Sequence, residues 1–265
     1  MFKTFNALRF SASTRTSLVV WVLTMLSLPL LGWILGEDYL LRGMSVGVLM
    51  QAAAVLTILY HAWGLARTLK TFLIVTVLAY LAELLGSSTG IPFGKYHYTT
   101  LLQPQIAGVP LLIPLAWLMM LPPAWAIASL IAPRPISRFP IPDSLFTLLS
   151  ALISALAFTA WDLFLDPQMV GWGFWVWEQP GQYFGIPLSN YLGWILVSTL
   201  ITLAARPKDL PVGPLALVYV VTWILQTIGQ GIFWSQPGPA IVGFFGSGLF
   251  VFLAWRKSVP SATDD

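Results

Sequence analysis

The stretch LFTLLSALISALAFTAWDLFL, Leu145–Leu165, decides the fold of this chain. Its 21 residues contain a single charged side chain, Asp162, and about 20 apolar residues suffice for a helix to cross the hydrocarbon core of a bilayer. The whole chain has the same character, because 57% of its 265 residues are hydrophobic and only 9% are charged. Soluble domains carry about 25% charged residues, so the composition predicts one polytopic, all-α integral membrane protein.

Hydropathy predicts eight membrane-spanning helices in a single domain of residues 1–265. We expect a cytoplasmic segment before them, 1–16, and a polar tail after them, 258–265. Basic residues precede the first apolar run, but the run is long and no A-x-A-like site follows it, so we interpret it as a retained helix rather than a signal peptide. The expected spans are Ser17–Leu35, Gly43–Trp63, Leu69–Leu85, Val109–Ile131, Leu145–Leu165, Leu188–Ala205, Leu215–Phe233 and Ala240–Trp255.

The distribution of basic residues supports eight spans with both termini in the cytoplasm, because short cytoplasmic loops of membrane proteins are rich in Lys and Arg. With that topology, Arg42 and Lys95 are the only basic residues on the outer side. The two long loops, 86–108 and 167–187, also lie on the outer side. The inner segments hold 11 of the 13 basic residues, namely Lys3, Arg9, Arg15, Arg67, Lys70, Arg134, Arg138, Arg206, Lys208, Arg256 and Lys257.

Prolines predict two irregular places in this arrangement. The fourth span contains Pro110, Pro114, Pro122 and Pro123 and should be kinked or broken, because proline lacks the N–H that a helix needs. The inner loop of residues 132–143 contains four further prolines and should be a stiff connector.

Polar side chains from four helices converge near the outer ends of the predicted spans. Carboxylic acids are costly at this depth and usually mark a functional cavity, where an acid that keeps its proton can donate it. A structural role stays open for two of them. Glu83 could pair with a Gln, a Tyr or Lys95 and hold helices together, and Asp166, which precedes a proline, could cap a turn. The converging residues are Glu83, Asp162, Asp166, Asn190, Tyr191, Gln226 and Gln230.

The composition also limits the chemistry. The chain has no Cys and only two His, which excludes thiolate nucleophiles, disulfides and a His-rich metal centre. It contains no G-x-G-x-x-G before a helix, no P-loop and no H-E-x-x-H, so neither a cofactor nor a metal is predicted. The dispersed basic residues do not favour nucleic acid as a partner. Two classes of function remain: cofactor-free acid–base chemistry on a lipid-soluble substrate, and transport. In both cases we expect the protein to act within the lipid bilayer.

Four motifs follow one another between Glu83 and Trp194: ELLGSSTGIPFGKYHY (83–98), GVPLLIPLAW (108–117), WDLFLDP (161–167) and GIPLSNYLGW (185–194). Together they resemble the bacterial and archaeal family of carotenoid-biosynthesis membrane proteins that includes the carotenoid 1′,2′-hydratases. The resemblance implies hydration of the terminal double bond of an acyclic (ψ) carotenoid end, in a lycopene-like or γ-carotene-like substrate, to a tertiary 1′-hydroxyl. The bacterial cytoplasmic membrane or an internal photosynthetic membrane is the expected location.

That reaction needs an acid to protonate the alkene, aromatic faces to stabilise the tertiary cation, and a held water molecule. We expect Glu83, Asp162 and Asp166 to supply the acid and the base that positions the water. A small transporter or channel, a carotenoid cyclase and a non-catalytic carotenoid-binding subunit remain alternatives, and the sequence leaves the oligomeric state open. Substrate and water contacts are expected from Tyr96, His97, Tyr98, Trp161, Asn190, Tyr191, Gln226 and Gln230.

Overall fold

The computed structural model describes residues 10–132 and 142–258. Within them, seven helices are long and apolar enough to cross a membrane, which confirms the predicted all-α, polytopic fold class. A π-helical turn, Gly229–Phe233, extends α6. The helices are α1 (Ala12–Leu35), α2 (Glu37–Thr89), α3 (Leu112–Ile131), α4 (Asp143–Gly171), α5 (Leu188–Ala205), α6 (Val212–Ile228) and α7 (Pro237–Ser258).

The 53-residue helix α2 consists of two membrane segments that meet at Gly64. Gly64 has φ +74° and ψ 175°, a conformation outside the helix that glycine adopts at low cost. Met44 lies before Gly64 and Glu83 lies after it. The two residues line adjoining cavities, and both cavities are also lined by Ile113 and Ala116 of α3. If α2 were straight, Met44 and Glu83 would be about 60 Å apart. The chain therefore reverses at Gly64, and the seven helices provide eight spans, as the hydropathy predicts.

The outer loops form a small sheet that the sequence did not predict. Strand β1 (Tyr96–Tyr98) pairs antiparallel with β4 (Trp175–Trp177), with Tyr96 opposite Trp177 and Tyr98 opposite Trp175. A second pair joins β2 (Gln105–Ile106) to β3 (Val109–Pro110). Because side chains alternate along a strand, Tyr96 and Tyr98 share one face of β1.

Helix α3 lies at the centre of the bundle and is mostly buried, whereas α1 is mostly exposed. Of the expected kink or break, the break does not occur, since α3 continues through Pro122 and Pro123. Pro110 precedes the helix in β3, and Pro114 lies in its first turn, where a missing N–H has no partner to lose. Helices surrounding α3 shield its backbone from lipid, which makes the interior prolines tolerable.

Three predicted features lie wholly or mainly outside the described residues. These are most of the N-terminal segment, the proline-rich connector and all of the polar tail beyond Ser258. The described outer surface of α1 is rich in exposed leucine, valine and isoleucine side chains, as expected for a helix that faces lipid.

Candidate active site

Glu83, near the outer end of α2, is buried and bonded through both carboxylate oxygens. Its Oε2 accepts hydrogen bonds from the hydroxyls of Tyr96, at 2.5 Å, and Tyr98, at 2.7 Å. Its Oε1 accepts a hydrogen bond from Nε1 of Trp117 at 3.0 Å. Of the structural partners that the sequence left open, the tyrosines are therefore the ones that bind Glu83, and Lys95 is not among them.

Both tyrosines act as hydrogen-bond donors to this acid. Burial raises the pKa of Tyr96 and of Tyr98 well above the usual phenol value, and the nearby Glu83 carboxylate raises it further. Their hydroxyls therefore stay protonated across the working pH range. Strand β1 presents both hydroxyls on the same side. The sheet in the outer loops therefore holds the carboxylate of Glu83, which lies on α2, in place.

Asp162 and Asp166 lie one turn apart on α4 and meet at a single amide. Nδ2 of Asn190, in the first turn of α5, donates to Oδ2 of Asp162 at 3.0 Å and also contacts Oδ2 of Asp166. Nε1 of Trp175 donates to Oδ1 of Asp166 at 3.1 Å. Two buried carboxyls that share one donor cannot both ionise cheaply, so we expect one proton to be held between them.

Asp162 Oδ1 has no hydrogen-bond partner among the described residues, although the side chain is fully buried. An unpaired buried polar atom costs free energy unless something else satisfies it. Helix α4 continues through Pro167 to Gly171, six residues beyond the predicted end of the fifth span. Asp166 therefore lies inside the helix and bonds to side chains, which rules out the turn-capping role.

The two acidic groups meet at a cavity of about 30 Å³, which has room for at least one water molecule. Asp166, Asn190 and Glu83 contribute its polar atoms, together with Tyr96 and Tyr98. Its other walls are aromatic and apolar side chains: Trp117, Trp175, Trp177, Trp194, Ile113, Ala116 and Leu165.

A larger cavity of about 60 Å³ adjoins the water-sized one. The two cavities share four lining residues, namely Ile113, Ala116, Leu165 and Trp175. Four methionines and four aromatic residues help to line the larger cavity, where methionine can adapt to an irregular apolar ligand. Gln226 also lines it, and Gln226 Oε1 has no hydrogen-bond partner among the described residues.

Four aromatic rings pack together beside the water-sized cavity. Trp194 stacks on Trp117, with ring centroids 4.7 Å apart, and on Phe158, at 5.0 Å. Trp161 meets Trp194 edge to face at 6.1 Å. Trp161 was predicted from sequence, whereas Trp117, Trp175 and Trp194 were not. The signal for two of the missed residues was present, because Trp117 and Trp194 each end one of the four motifs.

The structure places the remaining predicted residues away from the water-sized cavity. His97 is exposed on the opposite face of β1. Tyr191 packs edge to face on Tyr183, with centroids 5.5 Å apart, and lines a separate lateral groove. Gln230 Nε2 donates to the Phe164 carbonyl at 2.7 Å and to Gln168 Oε1 at 3.1 Å, so it ties the π-helical turn to α4.

The fold and these cavities define an integral membrane protein with a buried acidic chamber beside an apolar one. Residues 43–208 match the family of proteins described as "Carotenoid biosynthesis protein", and since this is more than half of the chain, the protein belongs to that family. The matched region contains Glu83, Asp162, Asp166 and Asn190.

A curated relative carries a more specific name. The chain is 29% identical over 185 residues to the bisanhydrobacterioruberin hydratase of Haloarcula japonica. The alignment covers 66% of this chain and 60% of the relative, so the chain spans less than two thirds of that protein's length. No solved structure matches the chain.

Proposed function

We propose that this protein adds water to the terminal carbon–carbon double bond of an acyclic (ψ) carotenoid end and forms a tertiary alcohol. The observation that carries the proposal is the water-sized cavity bordered by Asp166, Asn190 and Glu83, which adjoins an apolar cavity. Membership of a carotenoid-biosynthesis family and the likeness to a hydratase support the substrate class and the reaction. The substrate is a lycopene-like or γ-carotene-like chain that enters from the bilayer.

The proton comes from the aspartate pair. Glu83 already accepts three hydrogen bonds, which stabilises its carboxylate form. Asp162 and Asp166 share one amide and hold one proton, and of the two only Asp166 lines the water-sized cavity. Asp166 therefore donates the proton to the alkene, while Asp162, behind it, holds the shared proton in place.

The step balances without any further reactant. The alkene π pair takes the proton from Asp166 and leaves a positive charge on the tertiary carbon. A water molecule bound at Asn190 and Glu83 attacks that carbon, and the proton it loses returns to the aspartate pair. The net change is the addition of one water molecule.

The cation needs stabilisation in a site that offers little bulk water. Trp117, Trp194 and Trp175 line the cavity, and a cation over an aromatic face gains about 0.5–2 kcal/mol per contact. The Glu83 carboxylate adds an opposite charge that the low dielectric of the site makes more effective.

A cyclase would also protonate an alkene but would have to exclude water, whereas this cavity presents an amide and two acids at a volume suited to water. Expression in hosts that accumulate lycopene or γ-carotene distinguishes the two. We expect a pigment heavier by one water. A pigment of unchanged mass that contains a new ring would show that the protein is a cyclase rather than a hydratase. A pigment that is unchanged with both substrates would contradict the proposal.

A further inference from the structure

A second charged cavity lies at the opposite end of the bundle from the acidic chamber. It has a volume of about 270 Å³ and is open to the surface, between the start of the second half of α2 and the loop that joins α5 to α6. Four cationic side chains and one acidic side chain line it, namely Arg67, Lys70, Arg206, Lys208 and Asp209. The pocket therefore has an excess of three positive charges.

Arg67 forms a fixed wall of this pocket. Its guanidinium lies over the ring of Trp63, 4.3 Å from the centroid, and 3.3 Å from Oδ2 of Asp209. It also donates to the Lys208 carbonyl, and Trp63 Nε1 donates to the Asp209 carbonyl at 2.9 Å. These contacts hold the loop between α5 and α6 against α2. They also pair Asp209, the one acid that lines the pocket, with Arg67.

The other three cations have no carboxylate partner within the part of the chain that the structure describes, where Arg67–Asp209 is the one salt bridge. Positive charges that face a common concavity without counter-charges favour an anion with several acceptor oxygens. A phosphate group has this chemistry, and basic pockets between helices on the cytoplasmic side commonly hold lipid headgroups.

We propose that this pocket binds the phosphate of an anionic phospholipid in the leaflet on its side of the membrane. Leu65, Leu69 and Leu73 are 68%, 49% and 49% exposed, and they form a stripe at i, i+4 and i+8 along the second half of α2. The stripe begins beside the pocket, so a lipid whose headgroup occupies the pocket lays an acyl chain on these leucines. A free phosphate ion would make no use of the stripe.

The test measures lipids that stay bound to the full-length protein by native mass spectrometry after incubation with equimolar phosphatidylglycerol and phosphatidylcholine. The double variant Lys70→Gln, Arg206→Gln is compared with Arg256→Gln, Lys257→Gln at the end of α7, which also removes one Lys and one Arg. We expect the wild type and the α7 variant to prefer phosphatidylglycerol. The pocket variant should lose that preference by at least about tenfold, since each basic residue near an anionic surface contributes about 1 kcal/mol.

A charge-preserving variant at the same two positions, Lys70→Arg with Arg206→Lys, separates loss of charge from loss of fold and should keep the preference. Equal lipid retention in the wild type and in both glutamine variants would overturn the proposal. Titration with inorganic phosphate in phosphatidylcholine alone distinguishes the source. If the pocket binds that ion in a manner that depends on Lys70 and Arg206, without preferring phosphatidylglycerol, the lipid assignment is wrong. None of these measurements depends on carotenoid turnover.

Discussion

Glu83 and Asp166 border the same cavity, but their oxygens are bonded in different ways. Three neutral donors satisfy Glu83, and hydrogen bonds to a charged group contribute about 1.5–3 kcal/mol each. Asp166 shares the amide of Asn190 with Asp162 and receives one further bond from Trp175. The difference supports a carboxylate role for Glu83 and a proton-donor role for Asp166.

Replacing the acids by their amides tests these roles. Asp166→Asn removes the proton donor, and we expect product formation to fall by about 10²–10⁴-fold, the usual contribution of general acid catalysis. Glu83→Gln and Asp162→Asn should also abolish measurable product, with protein levels in the membrane unchanged. Glu178→Gln, the same kind of change at an exposed loop position, is the control and should keep full turnover. Near-normal turnover in both Asp166→Asn and Glu83→Gln would contradict the mechanism.

Removing one donor from Glu83 tests how the acid is held. Tyr96→Phe deletes the 2.5 Å hydrogen bond to Glu83, and we expect the free energy of unfolding to fall by about 1–3 kcal/mol. Tyr80→Phe is the matched control, because its hydroxyl bonds an exposed carbonyl, that of Ile106 at 3.0 Å. Thermal unfolding in detergent should show a clearly larger drop for Tyr96→Phe, and equal shifts for the two variants would argue against a strong bond at Glu83.

At the scale of elements, the loop after α2 is positioned by Phe93, which fits between two helices. Phe93 is buried against Gly86 of α2 and Gly193 of α5, where an added Cβ would meet its ring atoms at 2.4 Å and 2.6 Å. Only glycine leaves room for the ring at either position. The loop then leads three residues later to Tyr96, so this packing sets the position of the donors to Glu83.

Gly193→Ala is expected to destabilise the protein by about 1–3 kcal/mol, as overpacking usually does, and to lower turnover because β1 shifts. Gly32→Ala in α1 is the control, since its Cβ would meet Leu40 at an ordinary 3.6 Å. Melting temperatures and product yields of the two variants provide the comparison. A Gly193→Ala protein as stable and as active as Gly32→Ala would show that Phe93 does not position the loop.

The sequence predicted the helices better than the strands, for a physical reason. Apolar runs report membrane spans directly, and a glycine that breaks α2 fell between two predicted spans. Strand β1 precedes helix α3, and strand β4 follows helix α4. Their pairing therefore depends on contacts between residues that are far apart in sequence. The hydrogen bonds of Trp117 and Trp175 to the acids could not be predicted, because tryptophan is common at membrane–water interfaces and its presence there does not mark a site.

At the scale of the whole molecule, the polar groups of the candidate site cluster at one end of the bundle and the basic pocket lies at the other. Sequence predicted Glu83, Asp162 and Asp166 because acids inside apolar spans are costly, and Asn190 because it lies near the same outer ends of the predicted spans. It could not tell which of the further polar residues face the cavity. Gln230 points toward α4, and His97 points away from the site. Each direction depends on how the helix or strand is rotated about its own axis, and hydropathy does not report that rotation.

Topology gives a prediction at this scale. Eight spans would place both termini on one side of the membrane, and the charge distribution predicts that this side is the cytoplasm. A fluorescent protein fused after the C-terminus should fluoresce, and alkaline phosphatase at the same position should be inactive. Phosphatase fused in the outer loop at Gly173 should be active. The reverse pattern would overturn the orientation and, with it, the assignment of the basic pocket to the cytoplasmic leaflet.

The origin of the added atoms tests the central claim most directly. Membranes containing the protein are incubated with lycopene in ¹⁸O-labelled water and, separately, in deuterated water, and the product is analysed by mass spectrometry. Protonation followed by water capture predicts one ¹⁸O atom in the tertiary hydroxyl and one solvent deuterium on the neighbouring carbon. A hydroxyl oxygen that comes from molecular oxygen, or a product without solvent hydrogen on that carbon, would contradict it.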